Sequence, residues 1–261
     1  MIRTIPAAEQ KALQEGLKRL KLRHTRDELH AINDLALAEE PSYLDFLAYV
    51  VHQEVIARED TQRQKRLKAA RFPTTKRLED FDFSSQTSVS PQTIRDLASL
   101  QFLRARQNVI LLGPPGVGKT HLATALGYKA IEAGHQVRFW TADDLVQELF
   151  ACMADGSVTA HLRRLIRYDL LIVDELGMLS LSEMGADHLF QFVAKAYETT
   201  SLIITSNLAF QDWDKIFTNQ STAAAVLDRL LHHAHVLALK GESYRMRSRM
   251  LPLGVAVTGG N

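Results

Sequence analysis

The stretch that most constrains this 261-residue chain is residues 113–120, "GPPGVGKT", which directly follows the apolar run "NVILL". A short apolar run of that kind reads as a buried strand, and the chain leaving it must turn at once into a helix. Gly113, Gly116 and Gly118 permit unusual backbone angles and let several N–H groups approach one anion. Pro114, Pro115 and Val117 complete the loop, and His121 follows it. A helix running from about Lys119 to Ala133 would point its positive end at the same spot. The spacing fits G-x-x-x-x-G-K-[ST], in which Lys119 reaches the β- and γ-phosphates of a nucleotide and the Thr120 hydroxyl ligates Mg²⁺.

Four more apolar runs follow the same logic. Residues 108–113, 136–140, 169–175, 201–207 and 235–240 are the strand candidates, separated by helical stretches for which Asp143 or Asp144 and Ser182 are possible caps. Strands apolar throughout and alternating with helices predict an α/β fold, a parallel sheet covered on both faces.

Nucleotide binding does not by itself give hydrolysis, which also needs an acid for the metal and a group that orients water. "LLIVDE" supplies both where a buried strand ends, at the sheet edge that holds ligands in open α/β sheets. Asp174 is the metal-shell candidate and Glu175 the water-polarising one. Asn207, closing "SLIITSN", is either a turn former or a contact to the γ-phosphate or attacking water.

The first part of the chain has a different period. Leu13, Leu17 and Leu20, then Leu29, Ile32 and Leu35, recur at helical spacing, and Ser42 is a plausible cap for a long helix from Tyr43 towards Ala70. Pro73 ends that pattern. The expected division is a helical N-terminal domain, 1–73, and an α/β domain, 74–261. Residues 1–77 carry 15 Lys+Arg against 11 Asp+Glu, whereas the remainder carries 16 against 19. The excess is sharpest over residues 61–77, with seven basic groups and no acidic one: either a solvated helix face or a phosphate-binding one. No apolar run approaches a membrane span and no signal-peptide core is visible, so no membrane partner and a cytoplasmic location are expected. The single cysteine, Cys152, excludes an internal disulfide and has no partner marking a nucleophile. His232, His233 and His235 are read as surface or core histidines, since entering a strand does not put all three on one face. Arg163, Arg164 and Arg167 would give one basic helix face, for DNA or for solvent.

Taken in order, "LEDFDF", "GPPGVGKT", "LLIVDE", "TSN", "LDRLLHHA" and "GESYR" resemble the IstB/DnaC-like branch of the AAA+ ATPases, on its IstB side, the ATP-binding helpers of insertion-sequence transposition. The resemblance covers nearly the whole chain. It implies a five-stranded P-loop sheet of order 5-1-4-3-2, with ATP and Mg²⁺ bound and water as the phosphoryl acceptor. Residue by residue, Asn207 falls at the sensor-1 position and Arg229 at the arginine finger supplied to a neighbouring subunit. Arg245 falls at sensor 2, where Arg247 or Arg249 could share its role. "LEDFDF", residues 78–83, falls at the segment approaching the adenine pocket. Without the resemblance, Arg229 reads equally as a surface arginine paired with Asp228 or Glu242. Only 21 residues follow Lys240, too few for a full C-terminal lid, so neighbouring subunits are expected to complete the ATP site.

The function so implied is a homo-oligomer that binds duplex DNA largely without sequence preference, hydrolyses ATP and delivers target DNA to a transposase. The alternative is a loader of a replicative helicase. A small-molecule P-loop kinase would need an acceptor pocket and an arginine-bearing lid, and a nucleotide-gated scaffold would need only states that bind ATP differently.

Overall fold

The computed structural model describes residues 6–154, 156–178, 181–217 and 220–244. The chain divides into two compact units, Met1–Lys65 and Arg66–Asn261. The division therefore falls inside a helix and ahead of Pro73, because side chains of the last helical turns belong to the second unit's core. Ala70 is fully buried there, and Phe72 stacks on Tyr128 with ring centroids 4.7 Å apart.

The first unit is helical, as its periodicity predicts. It comprises α1 (Ala7–Arg19), α2 (Arg23–Asp27), α3 (Leu29–Glu39) and most of α4 (Tyr43–Ala70). Ser42 caps α4 as expected, accepting the Asp45 N–H at 3.2 Å. Leu17 and Ile32 are buried, but Leu20 lies past the end of α1 and is exposed. Glu54 of α4 is the unit's buried acid. Its carboxylate accepts the backbone N–H groups of Arg23 and Thr25, at 3.1 and 2.9 Å, at the start of α2.

The second unit opens with α5 (Pro91–Ala98) and α6 (Gln101–Arg104) and continues as β1 (Asn108–Leu112), α7 (Lys119–Glu132), β2 (Val137–Thr141), α8 (Ala142–Ala154), α9 (Val158–Leu165) and β3 (Leu170–Leu176). Then come α10 (Glu183–Ala196), β4 (Ser201–Ser206), a 3₁₀ turn (Phe210–Lys215), α11 (Gln220–Leu231) and β5 (Ala234–Ala238). Every strand pair is parallel, in the order β2-β3-β4-β1-β5, which is the order the resemblance implies. Strands β1 to β4 are buried on both faces, whereas the edge strand β5 leaves Val236 exposed, and the period of two sorts the buried residues. Val109, Leu111, Leu170, Ile172 and Ile203 join the core under α5, α6 and α7; Ile110, Leu171, Val173, Leu202 and Ile204 join the core under α8, α10 and α11.

Two local expectations need correction. Neither Asp143 nor Asp144 caps α8, since Thr141 takes that role by accepting the Asp144 N–H at 3.1 Å and both acids fall in the first turn. Arg167 lies beyond the end of α9, although Arg163, Arg164 and Arg167 are all exposed. Among the described residues, no helix is long and apolar enough to cross a membrane.

Candidate active site

The loop between β1 and α7 is built around its glycines. Gly113 has φ +147°, and a Cβ there would lie 2.1 Å from the Leu239 carbonyl oxygen, in the chain leaving β5. Gly118 has φ +101°, and a Cβ there would meet the Phe81 ring at 2.7 Å. Neither position admits another residue without displacing what packs on it. Lys119 is only 9% exposed, and its ammonium donates to the carbonyls of Gly113 and Pro114 at 2.7 and 2.8 Å. The cation is thereby held inside the curve of the loop, at the N-terminal end of α7, where an anion is favoured twice over.

Strand alternation brings the acid to this place. Val173 faces the α10 side, so Asp174 faces the α7 side, and the first turn of α7 carries Thr120. The Thr120 hydroxyl lies 3.0 and 2.9 Å from the two Asp174 carboxylate oxygens. Asp174 is 3% exposed and accepts a further hydrogen bond at 2.5 Å from the hydroxyl of Thr205, one strand away on β4. The same Thr205 oxygen accepts the Glu175 N–H at 3.0 Å. Sequence reasoning passed over Thr205; the available signal was a hydroxyl in a buried strand, two positions before Asn207.

Glu175 departs from regular strand geometry. The β3–β4 register shifts between Val173 and Leu176, and Glu175 has φ +61°, a left-handed conformation costly for a residue with a side chain. The bulge releases its carboxylate from the sheet, so it is exposed while Asp174 beside it is buried.

Asn207 follows the end of β4, beside the loop, because the Gly113 N–H donates to the Ser206 carbonyl at 3.1 Å. Its Oδ1 is buried and has no hydrogen-bond partner among the described residues. An unsatisfied buried amide oxygen of this kind calls for a ligand or a water.

A cleft of ≈ 650 Å³ opens beside the loop, lined by Gly116–Thr120 together with Phe81, Gln86, His121 and Tyr244. Phe81 and His121 meet edge to face with centroids 5.2 Å apart, and His121 Nε2 donates to the Arg77 carbonyl at 2.8 Å. Phe81 of "LEDFDF" thus packs against the loop at Gly118 and His121. Gln86, which sequence reasoning did not single out, is buried and donates to the Val117 carbonyl at 3.0 Å. Asp82, at the cleft's edge, accepts from the hydroxyls and N–H groups of Ser84 and Ser85, which hold its pKa down to about 2.

Arg229 does not join this group. It lies in the last turn of α11, which delivers the chain to the start of β5, so it sits at the sheet edge opposite the loop. The length of β1, roughly 13 Å, separates the two edges. Its guanidinium donates to the Ala225 carbonyl at 2.8 Å and stacks 5.1 Å from the Phe190 ring centroid. Arg245, Arg247 and Arg249 lie outside the described residues.

Known proteins resemble this chain in sequence and in fold. The family model for IstB-like ATP binding protein matches residues 15–251. An ATP-binding protein of insertion sequence IS21 from Pseudomonas aeruginosa is 42% identical over 237 residues, 91% of this chain and 89% of the relative. One of insertion sequence IS5376 from Geobacillus stearothermophilus is 38% identical over 239 residues, 92% and 95% of the two chains. Among solved structures, AMPPCP-bound DnaA from Aquifex aeolicus superposes with a TM-score of 0.56 at 19% identity, covering 68% of this chain and 54% of that one. DnaI does so with a TM-score of 0.51 at 21% identity, covering 63% and 91%. At such identities the structures speak for the fold alone.

Proposed function

This chain belongs to the IstB-like ATP binding proteins, ATPases of the AAA+ class, and we propose on that premise that it is an ATP-driven DNA-delivery protein. It assembles as a homo-oligomer on duplex DNA, hydrolyses ATP at sites shared between subunits, and presents the DNA to a transposase. The observation that carries the catalytic half is the cluster of Thr120, Asp174, Thr205 and Glu175 at the mouth of the phosphate loop.

In this reading residues 113–121 wrap the triphosphate and Lys119 neutralises its β- and γ-oxygens. The bulged, exposed Glu175 takes a proton from the attacking water, and Asn207 Oδ1 orients that water or the γ-phosphate. Thr120 and Asp174 fit Mg²⁺, since they bring hard oxygen donors within 3.0 Å of one another at the phosphate end of the cleft. When bound there, the ion supplies charge neutralisation between the phosphates. The chain's own part is to hold the Asp174 carboxylate in place through Thr205. The remaining charge is met by Arg229 of a neighbouring subunit, because Arg229 faces away from its own loop. Arg245 is assigned the sensor-2 role.

The DNA half rests on the names of the relatives, which are insertion-sequence proteins, and on the basic run of residues 61–77. The test is assembly and capture. With ATP and duplex DNA the protein should form larger complexes than with ADP, and it should retain an integrase-type transposase. Retention of a replicative helicase instead would turn the reading to a helicase loader.

A further inference from the structure

Away from the phosphate loop, we propose that Glu198, His232 and His233 form a binding site for a borderline divalent transition metal, with Zn²⁺ as the reference ion. One ligand atom from each of the three side chains lies within 4.8 Å of the others. A tetrahedral centre with bonds of 2.0–2.1 Å needs its ligand atoms about 3.3 Å apart. All three side chains are exposed, so rotation about their own bonds closes that gap without moving backbone. Two imidazoles and one carboxylate suit Zn²⁺ and its neighbours. They do not suit Mg²⁺, which takes oxygen donors, so the site is chemically distinct from the nucleotide's.

The scaffold beneath these side chains is fixed. The α10–β4 turn carries Glu198 and the α11–β5 turn carries the histidines; they meet because β4 and β5 flank β1. Asn108, the first residue of β1, ties the two turns together. Its amide donates to the Leu230 carbonyl at 3.0 Å and accepts the Leu202 N–H at 3.0 Å, while its backbone N–H donates to the His233 carbonyl at 2.8 Å. Glu198 has φ +56° at the end of α10, where glycine is the ordinary residue, and Arg106 donates to its carbonyl at 2.7 Å.

The surroundings also resemble an outer shell. Tyr197 OH lies 3.0 Å from His232 Nδ1, a partner for one ring nitrogen that leaves Nε2 for a metal. His235 is not part of the group, since its Nε2 lies 2.9 Å from Gln107 Oε1. That matches the expectation that the three histidines do not share a face. The third ligand comes instead from a glutamate 34 positions earlier, which no spacing rule reveals. A metal here would clasp the end of α10 to the end of α11, one turn from Arg229.

The experiment titrates Zn²⁺ into the full-length, tag-free, chelator-treated protein by calorimetry, with Co²⁺ visible absorption as a second readout. A one-to-one step is expected, weakened at least tenfold in His232→Ala, His233→Ala and Glu198→Gln and unchanged in His235→Ala. The Co²⁺ band should disappear with the same three variants. Circular dichroism establishes that each variant is folded. Absence of a one-to-one step in the wild type, or a step that His232→Ala and His233→Ala leave intact, overturns the proposal.

Discussion

The Thr205 hydroxyl is the joint between the two acids of the site. It donates to Asp174 at 2.5 Å and accepts the N–H of Glu175 at 3.0 Å. Thr205→Val removes both bonds while keeping the shape, and a hydrogen bond to a buried carboxylate is worth about 1.5–3 kcal/mol. The expected outcome is slower phosphate release that needs more Mg²⁺, with Thr205→Ser restoring the wild-type Mg²⁺ dependence. Thr205 acts here as a positioning residue. An unchanged Mg²⁺ dependence in Thr205→Val would remove it from that role.

Lys119 and Glu175 should separate binding from turnover. Lys119→Ala takes away the cation inside the loop and should abolish ATP binding. Glu175→Gln keeps the bulge and the loop intact, so it should bind ATP as wild type does and release almost no phosphate. Both quantities are measured on both proteins. Normal turnover in Glu175→Gln assigns the water-orienting role elsewhere.

Arg229 tests whether the site is shared. An arginine supplied from another molecule accelerates such reactions by a factor on the order of 10³–10⁵. Arg229→Ala should bind ATP normally and hydrolyse it poorly at every protein concentration. Mixed with Lys119→Ala, it should recover activity, because one variant contributes the finger and the other the pocket. If the two co-assemble and stay inactive, Arg229 does not act in trans.

The sheet and the phosphate loop were legible because one physical rule governed each. Buried parallel strands must be apolar throughout, and a loop that cradles phosphate must be rich in glycine. Asp174 and Glu175 were found for the same reason, as charges ending an apolar run. The Glu175 bulge was not legible, since nothing in "LLIVDE" says that the register slips there. Thr205 and Gln86 were hidden because their partners lie 31 residues away in each case, Asp174 and Val117. The compact units divide at Lys65 and Arg66 rather than at Pro73, because a proline marks where a helix stops, whereas the packing of Ala70 and Phe72 decides which core the helix end joins.

Glu54 gives a pH dependence confined to the helical unit. Burial raises its pKa, but the bonds from Thr25 and Arg58 outweigh that, and the net shift is downward from 4.5. A carboxylate depressed in the folded state contributes stability at pH values above its unfolded pKa and loses it as pH falls through the folded value. Hydrogen exchange of the Arg23 and Thr25 amides should therefore be slow at pH 7 and lose protection as the pH falls below 4.5 and through the lowered folded value. Glu54→Gln should show the unprotected behaviour at pH 7, with a loss of about 1–3 kcal/mol. Full protection in that variant would mean the carboxylate does not hold α2.

The basic run can be tested more cleanly with the burial of each side chain known. Arg66 is half-buried, with its Nε enclosed and unpartnered among the described residues, so replacing it would disturb packing as well as charge. Lys65, Lys68 and Arg71 are exposed and carry the test. Each phosphate contact contributes a slope of about −0.9 to log affinity against log salt. The triple alanine variant should weaken binding to all duplex sequences alike and make the slope shallower by up to roughly three units. In wild type, ATP should bind DNA-ready oligomers together, so affinity with ATP should exceed that with ADP through multivalency rather than new contacts. The measurement is a salt titration of duplex binding for both proteins with each nucleotide. A slope that does not change clears this segment and turns attention to Arg163, Arg164 and Arg167, which are also exposed; equal affinity with ATP and ADP defeats the assembly mechanism itself.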